Sequence, residues 1–188
     1  MTIKYTIKWK KTNFSDIIDV RSPAEFKEDN ISGSINLPVL NNKQRVDIGK
    51  IYKKESPFKA KKIGASLVSN NISKHLKKVL INKPGNWKPL IYCWRGGQRS
   101  KAFATVLSEI GWQVTILKGG YKTYRSAINN EINKLTKTSR FIVLKGPTGC
   151  AKTKILELLK KQGVSVLNLE ELASHKGSLL GDIPNKKQ

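Results

Sequence analysis

The sequence predicts an α/β fold in which parallel strands alternate with helices. Short apolar runs typical of buried strands are followed by segments whose apolar residues recur at helical spacing. Proline and glycine stand at the boundaries between these segments. Because this alternation is typical of βαβ units, we expect a parallel sheet with helices on both faces.

The first half of the chain contains two predicted strands and two predicted helices. The strands are predicted at residues 17–20 and 35–37, and the helices at 23–29 and 57–81. The first helix has a capping box, because Ser22 is followed by Pro23 at the first helical position and by Glu25 three residues on. Pro57 begins the second helix, whose outer faces are covered by Lys and Asn.

In the second half of the chain, the pattern of strands and helices predicts the end of one domain and the beginning of another. Strands at 90–92 and 113–117 alternate with helices at 100–110 and 121–135. A further strand, loop, helix and strand follow at 141–144, 146–151, 152–162 and 164–167. A unit of this size does not close an α/β core by itself. We therefore predict one domain over residues 1–136 and an incomplete α/β unit over 137–188.

The net charge predicts a polyanionic partner. The 188 residues include 36 Lys and Arg against 13 Asp and Glu, which gives +23. Residues 43–88 hold 13 basic and two acidic residues, a surplus of 11. Such a field attracts nucleic acid, and phosphate is the partner this surface would take. Because nearly all of the excess is lysine, the composition of an AT-rich genome is an equally simple explanation.

Several classes of protein are disfavoured by composition. No apolar run approaches the length of a membrane helix, and the N-terminal residues lack the apolar core of a secretory signal. Two cysteines cannot form a disulfide framework or a four-cysteine zinc site. We expect a cytoplasmic protein with no membrane association, no bound metal and no tightly bound cofactor.

Cys93 is the predicted catalytic residue. It ends a buried strand and precedes a loop that leads into a helix. The loop amides and the helix N-terminus favour a thiolate, and Arg95 and Arg99 add positive charge. The predicted anion-binding loop consists of Trp94, Arg95, Gly96, Gly97, Gln98 and Arg99. The alternative is an inert buried cysteine, although such cysteines seldom lie among glycines and arginines.

The spacing from Cys93 to Arg99 is also that of the phosphate cradle in protein tyrosine phosphatases. A phosphatase needs a general acid for the leaving oxygen, and no carboxylate has an obvious placement. The flanking segments instead resemble the rhodanese family, in residues 19–26 with 31–38 and in residues 111–121. The resemblance covers residues 15 to about 130. It implies a rhodanese-like sheet in which Cys93 carries sulfur or selenium as a persulfide.

Residues 146–153 resemble a P-loop, because a glycine-containing loop follows a predicted strand and begins a helix. The predicted phosphate-binding residues are Gly146, Thr148, Gly149, Lys152 and Thr153, and Thr153 could face Mg²⁺. Ala151 replaces the last glycine of the pattern, which is tolerable for a right-handed backbone.

A rhodanese segment followed by a P-loop resembles the tRNA 2-selenouridine synthase family. Residues 92–100, 56–58 with 62–68, 146–149 and 169–178 carry the resemblance. It implies conversion of wobble 2-thiouridine in tRNA to 2-selenouridine through a geranylated intermediate. Geranyl diphosphate and selenophosphate are the implied substrates, the enzyme that supplies selenophosphate is a candidate partner, and His175 is a candidate site residue.

Three alternatives to full synthase activity stay open at this stage. Family members are longer than this chain, so it is expected to be such a synthase or a shortened relative. A stand-alone sulfurtransferase with a remnant P-loop is the first rival. A non-catalytic tRNA- or protein-binding module is the second, and a phosphatase-like enzyme is the third.

Overall fold

The computed structural model describes residues 2–10, 14–147 and 149–174. The chain divides into two units, Met1–Lys137 and Thr138–Gln188. This division falls one residue after the boundary predicted from the sequence. No helix in the described part of the chain is long and apolar enough to cross a membrane.

The first unit is built on a parallel sheet. The described strands are β1 Lys4–Thr6, β2 Asp16–Asp19, β3 Ile35–Asn36, β4 Pro89–Tyr92 and β5 Thr115–Leu117. Their order in the sheet is β1-β5-β4-β2-β3, and all four neighbouring pairs are parallel. The predicted parallel sheet is therefore confirmed, with β4 at its centre.

Helices lie between these strands or follow the last of them. They are α1 Pro23–Glu28, α2 Asn42–Lys54, α3 Pro57–His75, α4 Gln98–Ile110 and α5 Gly120–Thr138. The single helix predicted over 57–81 is divided, because a π-helical segment, Leu76–Leu80, follows α3. Helix α4 ends at Gly111, whose φ of 111° is a left-handed conformation that favours glycine.

The core covers both faces of the sheet. Successive strand residues point to opposite faces, and Ile91 and Leu90 accordingly belong to two separate apolar clusters. Helix α4 contributes Phe103 and Leu107 to the cluster on one face, and α5 contributes Tyr121 to the other. Helices therefore lie on both faces, as the sequence predicts.

Two elements of the first unit were not predicted. Strand β1 is short and largely exposed, and it is defined by its pairing with β5 rather than by apolar residues. Helix α2 has no buried residue, and only a few of its residues, among them Ile48 and Ile51, are half-buried. Its start is set by a capping box between Asn41 and Gln44.

The second unit is described over 138–147 and 149–174, and here two predictions are wrong. It contains α6 Lys152–Lys161, as predicted, and a short helix α7 Leu169–Leu172. The strands predicted at 141–144 and 164–167 do not form, and the Ile142 side chain is 94% exposed. A strand needs a neighbouring strand as hydrogen-bonding partner, and no other strand lies within the described residues of this unit.

Candidate active site after the central strand

Cys93 lies directly after β4, at the carboxyl edge of the sheet where parallel α/β folds bind ligands. Its side chain is buried, and its Sγ accepts a hydrogen bond from the Gly97 amide at 3.2 Å. The Ser100 hydroxyl lies 3.3 Å from the same sulfur and donates to the Gly97 carbonyl at 3.0 Å. The sulfur is thus held by the start of α4 and by one loop amide.

The loop is held from behind by the start of α5. The Tyr121 amide donates to the Cys93 carbonyl at 2.9 Å, and the Lys122 amide donates to the Trp94 carbonyl at 3.1 Å. Gly120 passes so close that an added Cβ would lie 2.2 Å from the Cys93 carbonyl oxygen. These two hydrogen bonds and the close approach of Gly120 constrain the backbone of the loop beside the sulfur.

Arg99 does not point its charge at the sulfur. Its guanidinium forms a bidentate pair with Glu25 of α1, at 2.7 and 3.2 Å. Glu25 also accepts hydrogen bonds from the amide and hydroxyl of Ser22. Burial alone would raise the pKa of Glu25, but the hydrogen bonds and charge of Arg99, with the Ser22 hydrogen bonds, lower it to about 2. The pair joins α1 to the start of α4, one residue before Ser100.

The remaining loop residues face outward. Trp94, Arg95, Gly97 and Gln98 are exposed, and Gly96 is half-buried. Gly96 has a φ of 65°, and an added Cβ there would lie 2.8 Å from the Leu117 carbonyl oxygen. Of the two predicted arginines, Arg95 therefore remains on the surface and Arg99 is used in an ion pair.

A buried ion pair supports the same loop, and sequence reasoning did not assign it to the site. Arg21 and Asp19 are both fully buried and bond through two atoms of the guanidinium, at 2.7 to 3.1 Å. The Arg21 guanidinium lies 4.1 Å from the centre of the Tyr121 ring, which packs against the Trp94 ring at 5.4 Å. The rhodanese-like segment 19–26 contained the pair, but nothing local indicated that it would reach Trp94.

The loop predicted to bind phosphate lies in the second unit, and its described residues bond to one another. The Lys152 ammonium donates to the carbonyls of Gly146 and Pro147, at 2.9 and 2.8 Å. Ala151 has a φ of 58°, so its backbone is left-handed and not right-handed as the P-loop prediction requires. An alanine in this conformation costs about 1–2 kcal/mol.

The rest of the phosphate-site prediction is only partly described. Thr153 lies exposed in the first turn of α6, whereas Thr148 and His175 fall outside the described residues. In this arrangement the Lys152 ammonium is bonded to loop carbonyls rather than directed at a ligand, and we derive no step through Mg²⁺. Among the described residues, no three His, Cys, Asp or Glu side chains are close enough to hold a metal ion.

Two family models match the chain. Residues 2–127 match the rhodanese-like domain, and residues 139–188 match the tRNA 2-selenouridine synthase AAA domain. Among solved structures, the N-terminal domain of a Clostridium difficile 630 protein, whose name suggests ATP or GTP binding, is 34% identical with a TM-score of 0.52. The likeness covers 60% of this chain and 87% of that one.

Relatives named tRNA 2-selenouridine synthase match nearly the whole chain. The proteins of Bdellovibrio bacteriovorus and Nitrosomonas europaea are 35% and 33% identical to it, each over 92% of this chain. The protein of a Sulfurovum species is 36% identical over 90%. The chain spans about half the length of these relatives, 45–46%. The resemblance to this group that the sequence indicated is therefore confirmed.

Proposed function

This chain belongs to the rhodanese-like domain family, and from that premise we propose that it acts in tRNA selenation, as a tRNA 2-selenouridine synthase or a shortened relative. The proposal rests on the hydrogen bond that the Gly97 amide donates to the Cys93 sulfur at the end of the central strand. A thiol held by an amide at a helix start is suited to act as a nucleophile. The proposal places the reaction in the cytoplasm with tRNA.

The proposed reaction has two steps on the wobble 2-thiouridine of tRNA. In the first, the thiouridine sulfur attacks geranyl diphosphate, a C–S bond forms, the C–O bond breaks and diphosphate leaves with the electron pair. In the second, the Cys93 thiolate attacks C2, the C–S bond to the geranyl sulfur breaks, and geranylthiol leaves after taking up a proton. Selenium of selenophosphate then attacks C2, and the bond between C2 and the Cys93 sulfur breaks, which regenerates the thiolate. Water then cleaves the P–Se bond and releases phosphate, which leaves 2-selenouridine.

In this proposal Cys93 handles the chalcogen. With thiosulfate as a simple donor, the thiolate attacks the outer sulfur, a new S–S bond forms, the donor S–S bond breaks and sulfite leaves with the bonding pair. The Gly97 amide at 3.2 Å stabilises negative charge on the attacking sulfur. The same amide can stabilise the persulfide that results.

The diphosphate-binding role of the second unit belongs to the same proposal. It requires the Lys152 ammonium to leave the carbonyls of Gly146 and Pro147 and to bind the diphosphate instead. The enzyme that supplies selenophosphate is the proposed protein partner. Neither role is needed for Cys93 to accept sulfur, so the two units can be tested separately.

The test compares Cys93→Ser with Cys150→Ser. Cys150 is the matched control, since it is the second cysteine and is exposed in the other unit. We expect wild type and Cys150→Ser to form a protein persulfide with thiosulfate, detected by mass spectrometry, and Cys93→Ser to form none. The same proteins are then incubated with 2-thiouridine tRNA, geranyl diphosphate and selenophosphate, and the nucleosides are analysed.

Each outcome separates the candidate functions. Loss of both persulfide and 2-selenouridine in Cys93→Ser alone supports the proposal. A persulfide without selenation in wild type favours the stand-alone sulfurtransferase. Equal activity of Cys93→Ser and wild type would make the rhodanese-like chemistry wrong and would favour a non-catalytic binding module.

A further inference from the structure

A concave basic groove lies along α2 in the first unit. It has a volume of about 450 Å³. Its lining residues are Glu25, Arg45, Val46, Gly49, Lys50, Lys53 and Lys54. Four of these seven residues are cationic, and the four cationic side chains are exposed. The groove is therefore a shallow, open depression whose rim is positively charged.

The cations reach the groove from more than one face of α2. Lys50 and Lys54 are four residues apart and are neighbours on the helix surface, whereas Arg45 and Lys54 are nine residues apart and lie about 180° from each other around the helix axis. From residue 45 to 54 the helix rises about 13 Å. The Arg45 guanidinium packs against Gly49, because a Cβ added at Gly49 would lie 3.3 Å from it.

The charge of the groove is not neutralised from within the described residues. Its one carboxylate, Glu25, is bonded to Arg99 and Ser22 rather than to a cation of α2. In the described part of the chain, none of the four ion pairs involves a cation of the groove. Lys59 of α3 differs in this respect, since it is paired with Glu55 at 2.6 Å.

The groove adjoins the Cys93 loop. Glu25 lines the groove and holds Arg99, and the next residue, Ser100, lies 3.3 Å from the Cys93 sulfur. A chain of direct contacts thus joins the groove to the sulfur. A ligand that lies along α2 would have one end beside the loop that carries Trp94.

We propose that this groove binds the phosphate backbone of the RNA substrate and brings a nucleotide to the Cys93 loop. The inference rests on the proposed function and names where its polynucleotide is held. Phosphate is the chemistry that four cations recognise when no ion pair among the described residues involves them. The cations are spread over about 13 Å along α2, which is longer than a single phosphate group. This length favours a polymer over a small phosphate compound.

The experiment measures binding of a tRNA transcript to the full chain by fluorescence anisotropy at several salt concentrations. Each phosphate contact contributes about 0.7 to the slope of log affinity against log salt for single strands. We expect Lys50→Gln with Lys53→Gln to lower that slope by about 1.4. The control is Lys77→Gln with Lys78→Gln, which removes the same charge from exposed positions of the π-helical segment.

The slope of the control is expected to stay at the wild-type value. Equal losses in the two double variants would overturn the inference and assign binding to net charge alone. Competition by inorganic phosphate as strong as that by tRNA, at equal phosphate concentration, would overturn the polymer assignment and indicate a small-anion site.

Persulfide formation on Cys93 keeps this test independent of the proposed function. We expect Lys50→Gln with Lys53→Gln to form the persulfide at the wild-type rate, because neither lysine contacts the sulfur or its loop. Loss of the persulfide in this variant would overturn a role limited to RNA. A wild-type protein that binds RNA through the groove but never forms the persulfide would refute the proposed chemistry and leave the groove assignment standing.

Discussion

Gly120→Ala tests whether the start of α5 holds the Cys93 loop in place. Gly120 has a φ of 60°, and its added Cβ would lie 2.2 Å from the Cys93 carbonyl oxygen and 2.5 Å from the Gly96 nitrogen. Both neighbours are backbone atoms, so neither can rotate away as a flexible side chain can. The loop, or the start of α5, must move.

The size of the effect follows from these distances. An ordinary contact begins at 3.4 Å, so the Cys93 carbonyl must withdraw by about 1.2 Å. A displacement of about 1 Å in a reacting group can lower a rate by about 100-fold. The left-handed φ costs an alanine about 1–2 kcal/mol, and the overpacking adds about 1–3 kcal/mol. We therefore expect about 2–5 kcal/mol of lost stability.

The assay compares Gly120→Ala with Gly33→Ala. Gly33 has a φ of 74°, but nothing lies within 4 Å of its added Cβ, so this control carries the backbone cost without the clash. Urea unfolding measures stability, and the rate of persulfide formation on Cys93 measures the loop. We expect Gly33→Ala to lose about 1–2 kcal/mol and to form the persulfide at the wild-type rate.

One result would refute this reasoning. If folded Gly120→Ala formed the persulfide as fast as Gly33→Ala, the position of the Cys93 carbonyl would not control the sulfur. The two hydrogen bonds from α5 would then be structural contacts without an effect on the proposed chemistry.

Two further predictions concern a titrating carboxylate and a strained alanine. Because the folded pKa of Glu25 is lowered to about 2, its stabilisation, up to about 3 kcal/mol, is complete above about pH 5 and is lost between about pH 4.5 and 2. Urea unfolding against pH should show this fall in wild type and not in Glu25→Gln, and parallel curves would contradict it. Ala151→Gly removes the strain of an alanine at a left-handed φ of 58°. We expect slower amide exchange in 152–161, equivalent to a free energy of opening that is higher by about 1 kcal/mol. Ala173→Gly, at a φ of −79°, should bring no such gain, and equal gains would refute the strain at Ala151.

The strands of the first unit were predictable because their own residues are apolar and their partners are present. Ile17, Ile18, Leu90 and Ile91 are all fully buried between two layers of helices, which is the condition that a continuous apolar run predicts. The equally apolar run 141–144 predicted a strand by the same rule and was wrong. An apolar run shows what a strand would bury, whereas a strand exists only where a neighbour accepts its hydrogen bonds.

Strand β1 and helix α2 show the opposite case. The residues of β1 are mostly exposed, and its identity depends on the register Tyr5 to Ile116, more than a hundred residues away. Helix α2 buries no residue completely, and its many Lys and other polar residues make its apolar positions sparse. Helix α2 matters for the proposed RNA binding, because it carries the cations of the proposed groove.

By itself, the sequence determined the chemistry available at the site: a cysteine after an apolar strand, glycines that allow a tight loop, and arginines nearby. The tertiary structure alone decided where those groups point. Arg99, predicted to charge the sulfur, is bound instead by Glu25, 74 residues earlier in the chain. Local sequence cannot determine such a pair, because the two residues meet only when α1 and α4 come together at the same end of the sheet.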